Sequence, residues 1–177
     1  MRRILGNLPR DIAGIAGDYI ADKRRRRAFQ LDQDYKNYLS DRGVKDPIDP
    51  SPSIVIPLLT AAIDEDRTVL KDLWARLLAN ACDPSRHDRV RVSLIDLLKK
   101  FDPFDAEVLH ILGNVSGVPS PNARDYVIAQ TKRSEDEVLL SFENLIEWGC
   151  LSKSTSNEIW KPMMSYRGRV LLSAVSK

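Results

Sequence analysis

The stretch PLLTAAIDEDRTVLKDLWARLLANACD, Pro57 to Asp83, decides the fold. Within it Leu70, Leu73, Trp74, Leu77, Leu78 and Ala81 recur at helical spacing, which places them on one face of an α-helix. The stripe is wide and includes a large aromatic ring, so the spacing predicts a helix at the centre of a hydrophobic core. A short apolar helical piece, 58–63, is expected before it. Asp64 then reads as the N-cap, with Glu65 and Asp66 near the positive end of the helix dipole, and Asp83-Pro84 as the stop. The same three carboxylates could hold a metal, but capping explains them better.

Working upstream, Pro9 and Asp11 suit the first turn of a helix. Ile12, Ile15, Ala16, Tyr19, Ile20, Leu31, Tyr35, Tyr38 and Leu39 keep near-helical spacing to about Gly43. An unbroken helix of that length would be roughly 50 Å long. Gly14 and Gly17 weaken its early part, or let another helix approach closely. Its middle is the run Lys23, Arg24, Arg25, Arg26 and Arg27, and successive residues at 100° steps surround the helix with charge. Lys23 and Arg27 fall on an apolar line through 19, 23, 27 and 31, so the helix is expected to leave its core there or to meet an acidic surface. The readings for this run are a solvated helix middle, a partner or oligomer contact, and nucleic-acid binding. Residues 44–57, with four prolines, read as a linker or extended strap and not as helix.

Downstream, Arg86 to Arg91 form a second, weaker basic patch. Val90, Leu94, Ile95, Leu97, Leu98 and Phe101 mark a helix that stops before Asp102-Pro103. Asp102 as N-cap, Pro103 as first helical residue and Asp105 as the acidic third residue open the next helix, closed by Gly113-Asn114. Ser120-Pro121 starts a helix to about Thr131, and the capping-box pair Ser134 and Glu137 starts another to Trp148, stopped by Gly149. Cys150–Lys153, a polar turn at 154–157 and Ile159–Lys161 read as a short hairpin, and Ser165 caps a last helix with Val170, Leu171, Leu172 and Val175.

The expected fold is therefore mainly α. An N-terminal helical bundle with a long first helix is joined to a C-terminal winged helix-turn-helix-like unit with a short β-hairpin. The divisions are a basic helical arm over 1–46, a Pro-rich linker over 47–56, a helical core over 57–115 and the winged-helix-like unit over 116–177. Winged helices often read DNA through their third helix. Here that helix carries Glu135, Asp136, Glu137, Glu143 and Glu147, with Ser141 and Asn144, and no Lys or Arg. Phosphates would be repelled by such a face. It reads instead as a packing or protein-contact unit, and Glu135, Asp136, Glu143 and Glu147 as a docking surface for the basic run of another subunit.

Composition narrows the class. An apolar share of 43% supports a real core, and a net charge of +2 does not by itself imply a polyanionic partner. The charge is uneven: residues 1–46 hold 11 Lys/Arg against 7 Asp/Glu, whereas residues 101–177 hold 8 against 10. Two cysteines, Cys82 and Cys150, signal no disulfide framework and fit a reducing compartment. Neither a signal-peptide pattern nor an apolar run of about 18 residues is present, so a cytoplasmic protein without a membrane span is expected.

Motifs for catalysis are missing. Cys82 and His87 have no second pair at zinc-ligand spacing, and His110, on an apolar helix, reads as a core residue. Gly113-Asn114-Val115-Ser116-Gly117 puts its serine one place too late for a nucleophile elbow. No phosphate-binding Gly-rich loop occurs, and no Arg precedes either His at the short spacing used by a common class of defence ribonucleases. A non-enzyme without cofactor or metal is expected.

Pro57-Leu58-Leu59, Glu65-Asp66, the block Leu73-Trp74-Ala75-Arg76-Leu77-Leu78-Ala79-Asn80-Ala81 and Asp83 resemble the signature of the abortive-infection alpha (Abi-alpha) family. The resemblance continues through Ile95, Leu97-Leu98-Lys99 and Phe101-Asp102-Pro103 to Asp105-Ala106. Upstream it includes Leu5-Gly6 and Gly17 to Lys23. Arg86-His87-Asp88 stands where related sequences tend to have His-Pro, and Phe-Asp-Pro where Leu-Ser-Pro is usual. The resemblance implies bacterial or phage-borne defence, in which phage multiplication is blocked, often at the infected cell's expense. It brings no catalytic residues with it. The expected function is thus a non-enzymatic phage-defence protein acting through protein contacts and self-association, with a phage or host protein as possible partner. The alternative is a nucleic-acid-binding regulator using the basic arm and the winged-helix-like unit.

Overall fold

The computed structural model describes residues 8–114, 123–153 and 162–176, with side chains from residue 19 onward. Among them α1 (Leu8–Asp41), α2 (Pro52–Asp64), α3 (Thr68–Cys82), a 3₁₀ turn (His87–Arg89), α4 (Val92–Leu98) and α5 (Pro103–Asn114) make the first part. α6 (Ala123–Thr131), α7 (Glu135–Glu147), β1 (Leu151–Ser152), β2 (Met163–Met164) and α8 (Tyr166–Ala174) follow. The protein is mainly helical, with one small antiparallel hairpin pairing Leu151 with Met164 and Ser152 with Met163. The expected turn at 154–157, the strand at 159–161 and the helix start at Ser120-Pro121 lie outside the described residues.

The central helix is more enclosed than its stripe suggests. Leu70, Trp74, Leu77, Leu78 and Ala81 are buried as expected, but so are Ala75, Ala79, Asn80 and Cys82, while Leu73 is only half-buried. The last two turns of α3 are surrounded because α1, α2, α5 and α8 all pack on it. Small alanines at 75, 79 and 81 give these neighbours room for close approach. Buried residues from Leu31 to Val175 form one continuous core, to which α5, α7 and α8 contribute Leu109, Phe142 and Leu171. The stacked rings of Phe101 and Trp148, with centroids 5.4 Å apart, tie the start of α5 to the end of α7.

α1 is continuous over 34 residues, a length of roughly 50 Å. It ends where Gly43 takes a positive φ of 70° and Val44 N–H donates to the Leu39 carbonyl at 3.0 Å. The line facing the body runs through 24, 27, 31, 35, 38 and 42, not through 19, 23, 27 and 31. Lys23 thus lies off the seam and is exposed, its ammonium 5.0 Å from the Tyr19 ring centroid.

The Pro-rich stretch 44–57 corrects the expectation of an extended strap. Residues before Pro52 do form a strap, and Ile48 N–H donates to the last carbonyl of α3, Cys82 O, at 2.8 Å. From Pro52 onward, however, the chain is α-helix. Proline is compatible with a first helical turn, where its missing N–H would have no partner anyway, and Pro57 follows only in the next turn. Leu58 and Ala62 then bury one side of α2. Its end also corrects the reading of Asp64, which is the last residue of α2 and not the cap of α3. The turn between the two helices is held instead by Glu65, whose Oε1 accepts the N–H groups of Asp66 and Arg67, both at 3.0 Å.

Local capping signals downstream hold. Ser134 and Glu137 form a reciprocal capping box at α7, Gly149 takes a positive φ of 73° after it, and the Ser165 hydroxyl accepts Gly168 N–H at the start of α8. Asp105 reaches back to accept Asp102 N–H at 3.0 Å. α5 ends at Asn114, as Gly113-Asn114 suggests, and a Cβ on Gly113 would overlap the Leu172 side chain of α8. Gly168 is less yielding, since a Cβ there would overlap the backbone carbonyl of Cys150. Gly168→Ala is therefore expected to destabilise by about 2 kcal/mol, and Gly113→Ala by less than about 1 kcal/mol, because the Leu172 tip moves more easily than backbone. Urea midpoints of the two variants check this order.

Candidate functional site

The basic run and the acidic helix, the two surfaces singled out by sequence, are both present, but the structure divides each of them. Arg24 and Arg27 face the C-terminal end of α2. Arg24 forks onto the Asp64 carboxylate with bonds of 2.7 and 3.0 Å, and this guanidinium holds Asp64 below the ordinary carboxylate range. Arg27 donates to the terminal carbonyls of Asp64 at 3.0 Å and Ile63 at 3.4 Å, with Asp66 at 3.6 Å. Two cations thus cap the negative pole of a helix dipole. The expectation that the run meets an acidic surface holds, but that surface belongs to the same chain. Lys23, Arg25 and Arg26 point outward; Arg26 pairs with Asp22 one turn earlier, and among the described residues Arg25 makes no ion pair.

The outward side of α1 is also apolar. Tyr19 is 57% exposed and Phe29 67%, and both share an arc with Lys23 and Arg26. Ile20 continues the inward seam yet is also exposed, because α2 ends beside Arg24 and nothing among the described residues covers the helix beyond it.

On α7, Glu135 is engaged by Arg124 at 2.7 Å, and Glu137 by Ser134 and Arg133. Asp136, Glu143 and Glu147 remain exposed and fall on one line, with the exposed Leu140 among them. Ser141, read as a surface residue, is buried and donates to Asp105 at 2.7 Å. The carboxylate that closes the first turn of α5 therefore also binds α7.

Three further features escape sequence reasoning, two of them polar latches and one a cavity. Arg67 grips Glu65 with bonds of 2.8 and 2.9 Å and reaches Asp102 at 2.6 Å, joining the α2–α3 turn to the head of α5. Burial pushes the Glu65 carboxyl up, but hydrogen bonds from the Arg67 side chain and backbone outweigh it and leave Glu65 below its ordinary 4.5. Its stabilising contribution is then complete above pH 4.5 and is lost as pH falls through the lower folded-state value. Glu65→Gln is expected to cost about 2 kcal/mol at neutral pH, and less as the buffer is acidified toward pH 3. Thermal melts of both proteins across that range check the convergence.

The second is Asn80, fully buried on α3. Its Nδ2 donates to Ala174 O at 2.7 Å, and its Oδ1 accepts from Arg42 at 2.7 Å. Arg42 also donates to Ser176 O at 2.9 Å and lies 3.7 Å from the buried Asp83. The third is a cavity of about 910 Å³ between α3, α5 and α8. Its walls are mostly apolar, including Leu73, Phe101 and Leu172, and Asp72, Arg76, Glu107, His110 and Asn114 supply polarity. Arg76 pairs with Asp72 at 2.6 Å and lies over the Tyr38 ring, and Tyr38 OH bonds the same Asp72. His110, expected in the core, is exposed on this rim and 2.9 Å from Asn114 Nδ2. Asp72 and Arg76 stood in or beside the signature block, but nothing in their spacing signals a cavity.

As chemical groups, the two cysteines are passive. Burial pushes the Cys82 thiol up to about 11 and the Cys150 thiol up to about 12, so neither is a thiolate at neutral pH. Among the described residues no three His, Cys, Asp or Glu side chains come together as a metal site, and no helix is long and apolar enough to cross a membrane. Asp64, Glu65 and Asp66 go to three separate tasks: Asp64 to Arg24, Glu65 to Arg67, and Asp66 to Arg27.

A small, mainly helical protein with several buried polar latches and exposed charge on the outward faces of α1 and α7 is the class this fold defines. The family model described as "Abortive infection alpha" matches residues 23–167, and the chain belongs to that family. The family's name is that of abortive infection, a defence against phage. Comparisons with curated proteins and with solved structures returned no match.

Proposed function

We propose that this chain protects a bacterial cell against phage by abortive infection, acting in the cytoplasm through protein contacts and self-association and not by catalysis. The observation that carries the reading is the outward face of α1, where Tyr19 and Phe29 stand exposed among basic residues on a helix that extends past its own body. Large exposed aromatics with neighbouring Arg are typical of contact surfaces. The C-terminal arrangement of three helices, hairpin and helix fits a winged-helix-like unit used for packing. The alternative, a nucleic-acid-binding regulator, is weakened by geometry. Arg24 and Arg27 are committed to α2, and α7 would turn carboxylates toward phosphate. The test is a pull-down of the full chain from infected and uninfected cells, with co-purifying nucleic acid measured. Specific protein capture that is lost with Tyr19→Ala and Phe29→Ala supports the reading. Recovery of nucleic acid that falls steeply with salt favours the alternative.

A further inference from the structure

Among the described residues two helix faces are unpartnered and opposite in charge. The first lies on α1, where Tyr19, Lys23, Arg26 and Phe29 share one outward arc. The second lies on α7, where Asp136, Leu140, Glu143 and Glu147 fall within about 60° of one another around the helix axis. Each strip combines apolar contact with charge of a single dominant sign. Aromatic rings flank the cations on α1, and Leu140, 58% exposed, sits among the carboxylates on α7. Their lengths agree as well, since the eleven residues 19–29 on α1 and the twelve residues 136–147 on α7 both span roughly 15 Å.

The exposure of Tyr19, Phe29 and Leu140 shows that the two strips do not cover each other within one chain. Other charges near them are already used. Arg24 and Arg27 hold the end of α2, and Glu135 and Glu137 are held by Arg124, Arg133 and Ser134. On the α1 strip itself Arg26 pairs with Asp22 of the same arc, so the strip keeps one cation in excess, and the rest of what is free among the described residues is the part of each helix that faces away from its own body.

We infer that the α1 strip of one copy docks on the α7 strip of a second copy, in a head-to-tail contact between identical chains. This rests on the self-association reading above and assigns its surface. Unlike strips make the contact heterologous, so each bound copy still presents one open strip of each kind, and assemblies grow as rings or open chains. Exposed charges supply orientation and salt sensitivity, and the buried aromatic and leucine side chains supply most of the adhesion.

The experiment is sedimentation velocity of the full chain at about 0.1 M and about 1 M salt, ionic strengths that separate screened from unscreened charge. Three samples are compared: the natural chain, a Lys23→Glu/Arg26→Glu variant, and an Asp136→Lys/Glu143→Lys/Glu147→Lys variant. All substituted positions are exposed, and circular dichroism confirms retained helix. The natural chain is expected to self-associate, and more weakly at high salt. Each variant alone should lose association by roughly tenfold or more, since like charges then face each other. Mixing the two variants should restore it, because both reversed and natural pairs become available. Assembly that survives in both variants overturns the proposed surface and leaves self-association standing. A natural chain that stays monomeric, yet still protects cells against phage, overturns self-association together with its surface. Loss in both variants without rescue on mixing overturns the pairing of these two strips.

Discussion

Trp74→Ala is expected to remove about 4 kcal/mol of folding stability and to lower the melting temperature by roughly 10 °C. Among the described residues Trp74 is the largest fully buried side chain, and it sits at the middle of α3. Truncation would leave a void where α3 meets its neighbours, and a packed core relaxes only partly into such a gap. Trp74→Phe is the informative companion. The indole Nε1 is buried and has no acceptor among the described residues, so phenylalanine removes an unpaired donor as well as part of the ring. The two terms oppose each other, and the cost should stay below about 2 kcal/mol. Thermal and urea unfolding of both variants decide it. A Trp74→Phe loss as large as that of Trp74→Ala would show that the N–H has a partner after all.

Asn80→Leu is the second large effect, expected at about 3 kcal/mol. Leucine keeps nearly the same volume, so packing is not what is tested. The change leaves Ala174 O without a donor and takes from Arg42 its 2.7 Å acceptor in a place where water enters poorly. Arg42→Met alone is also expected to destabilise, because it leaves the buried Asp83 with fewer partners. The double variant should lose less than the sum by about 1 kcal/mol or more, since Arg42 and Asn80 share one bond. Strict additivity in urea denaturation would show that the two residues act independently.

These two residues also mark the boundary of what sequence discloses. Trp74 was legible because burial repeats with the helical period. Helix starts and stops at Ser134, Gly149 and Ser165 were legible because a cap is made by residues three or four apart. Asn80 stands within the family signature, but its partners come from the residue after α1 and from the end of α8. Asp105 was read as a first-turn acid, which it is, yet its bond to Ser141 depends on how α5 and α7 pack. The misread of 44–57 has a different cause. Proline density argued for a strap, but Pro52 stands at the helix start, where a missing N–H has no partner to lose, and α2 accommodates Pro57 in its second turn. The surface candidates were half legible. Charge runs show in sequence, but which of their members turn back to the chain itself does not. Arg24 and Arg27 are used internally because α2 ends beside them.

The latch at Asn80 has one more consequence, in time instead of strength. Asn80 and Ala174 lie 94 residues apart along the chain, and Arg42 and Ser176 lie 134 apart. Contacts between such distant positions reward folding only after most of the intervening chain is in place. Bonds of that kind do little to guide a chain toward its native form and much to keep it from leaving. Asn80 and Arg42 are therefore expected to set how long a folded molecule survives before it opens, while the local capping pairs and the stripe of α3 set how quickly it forms.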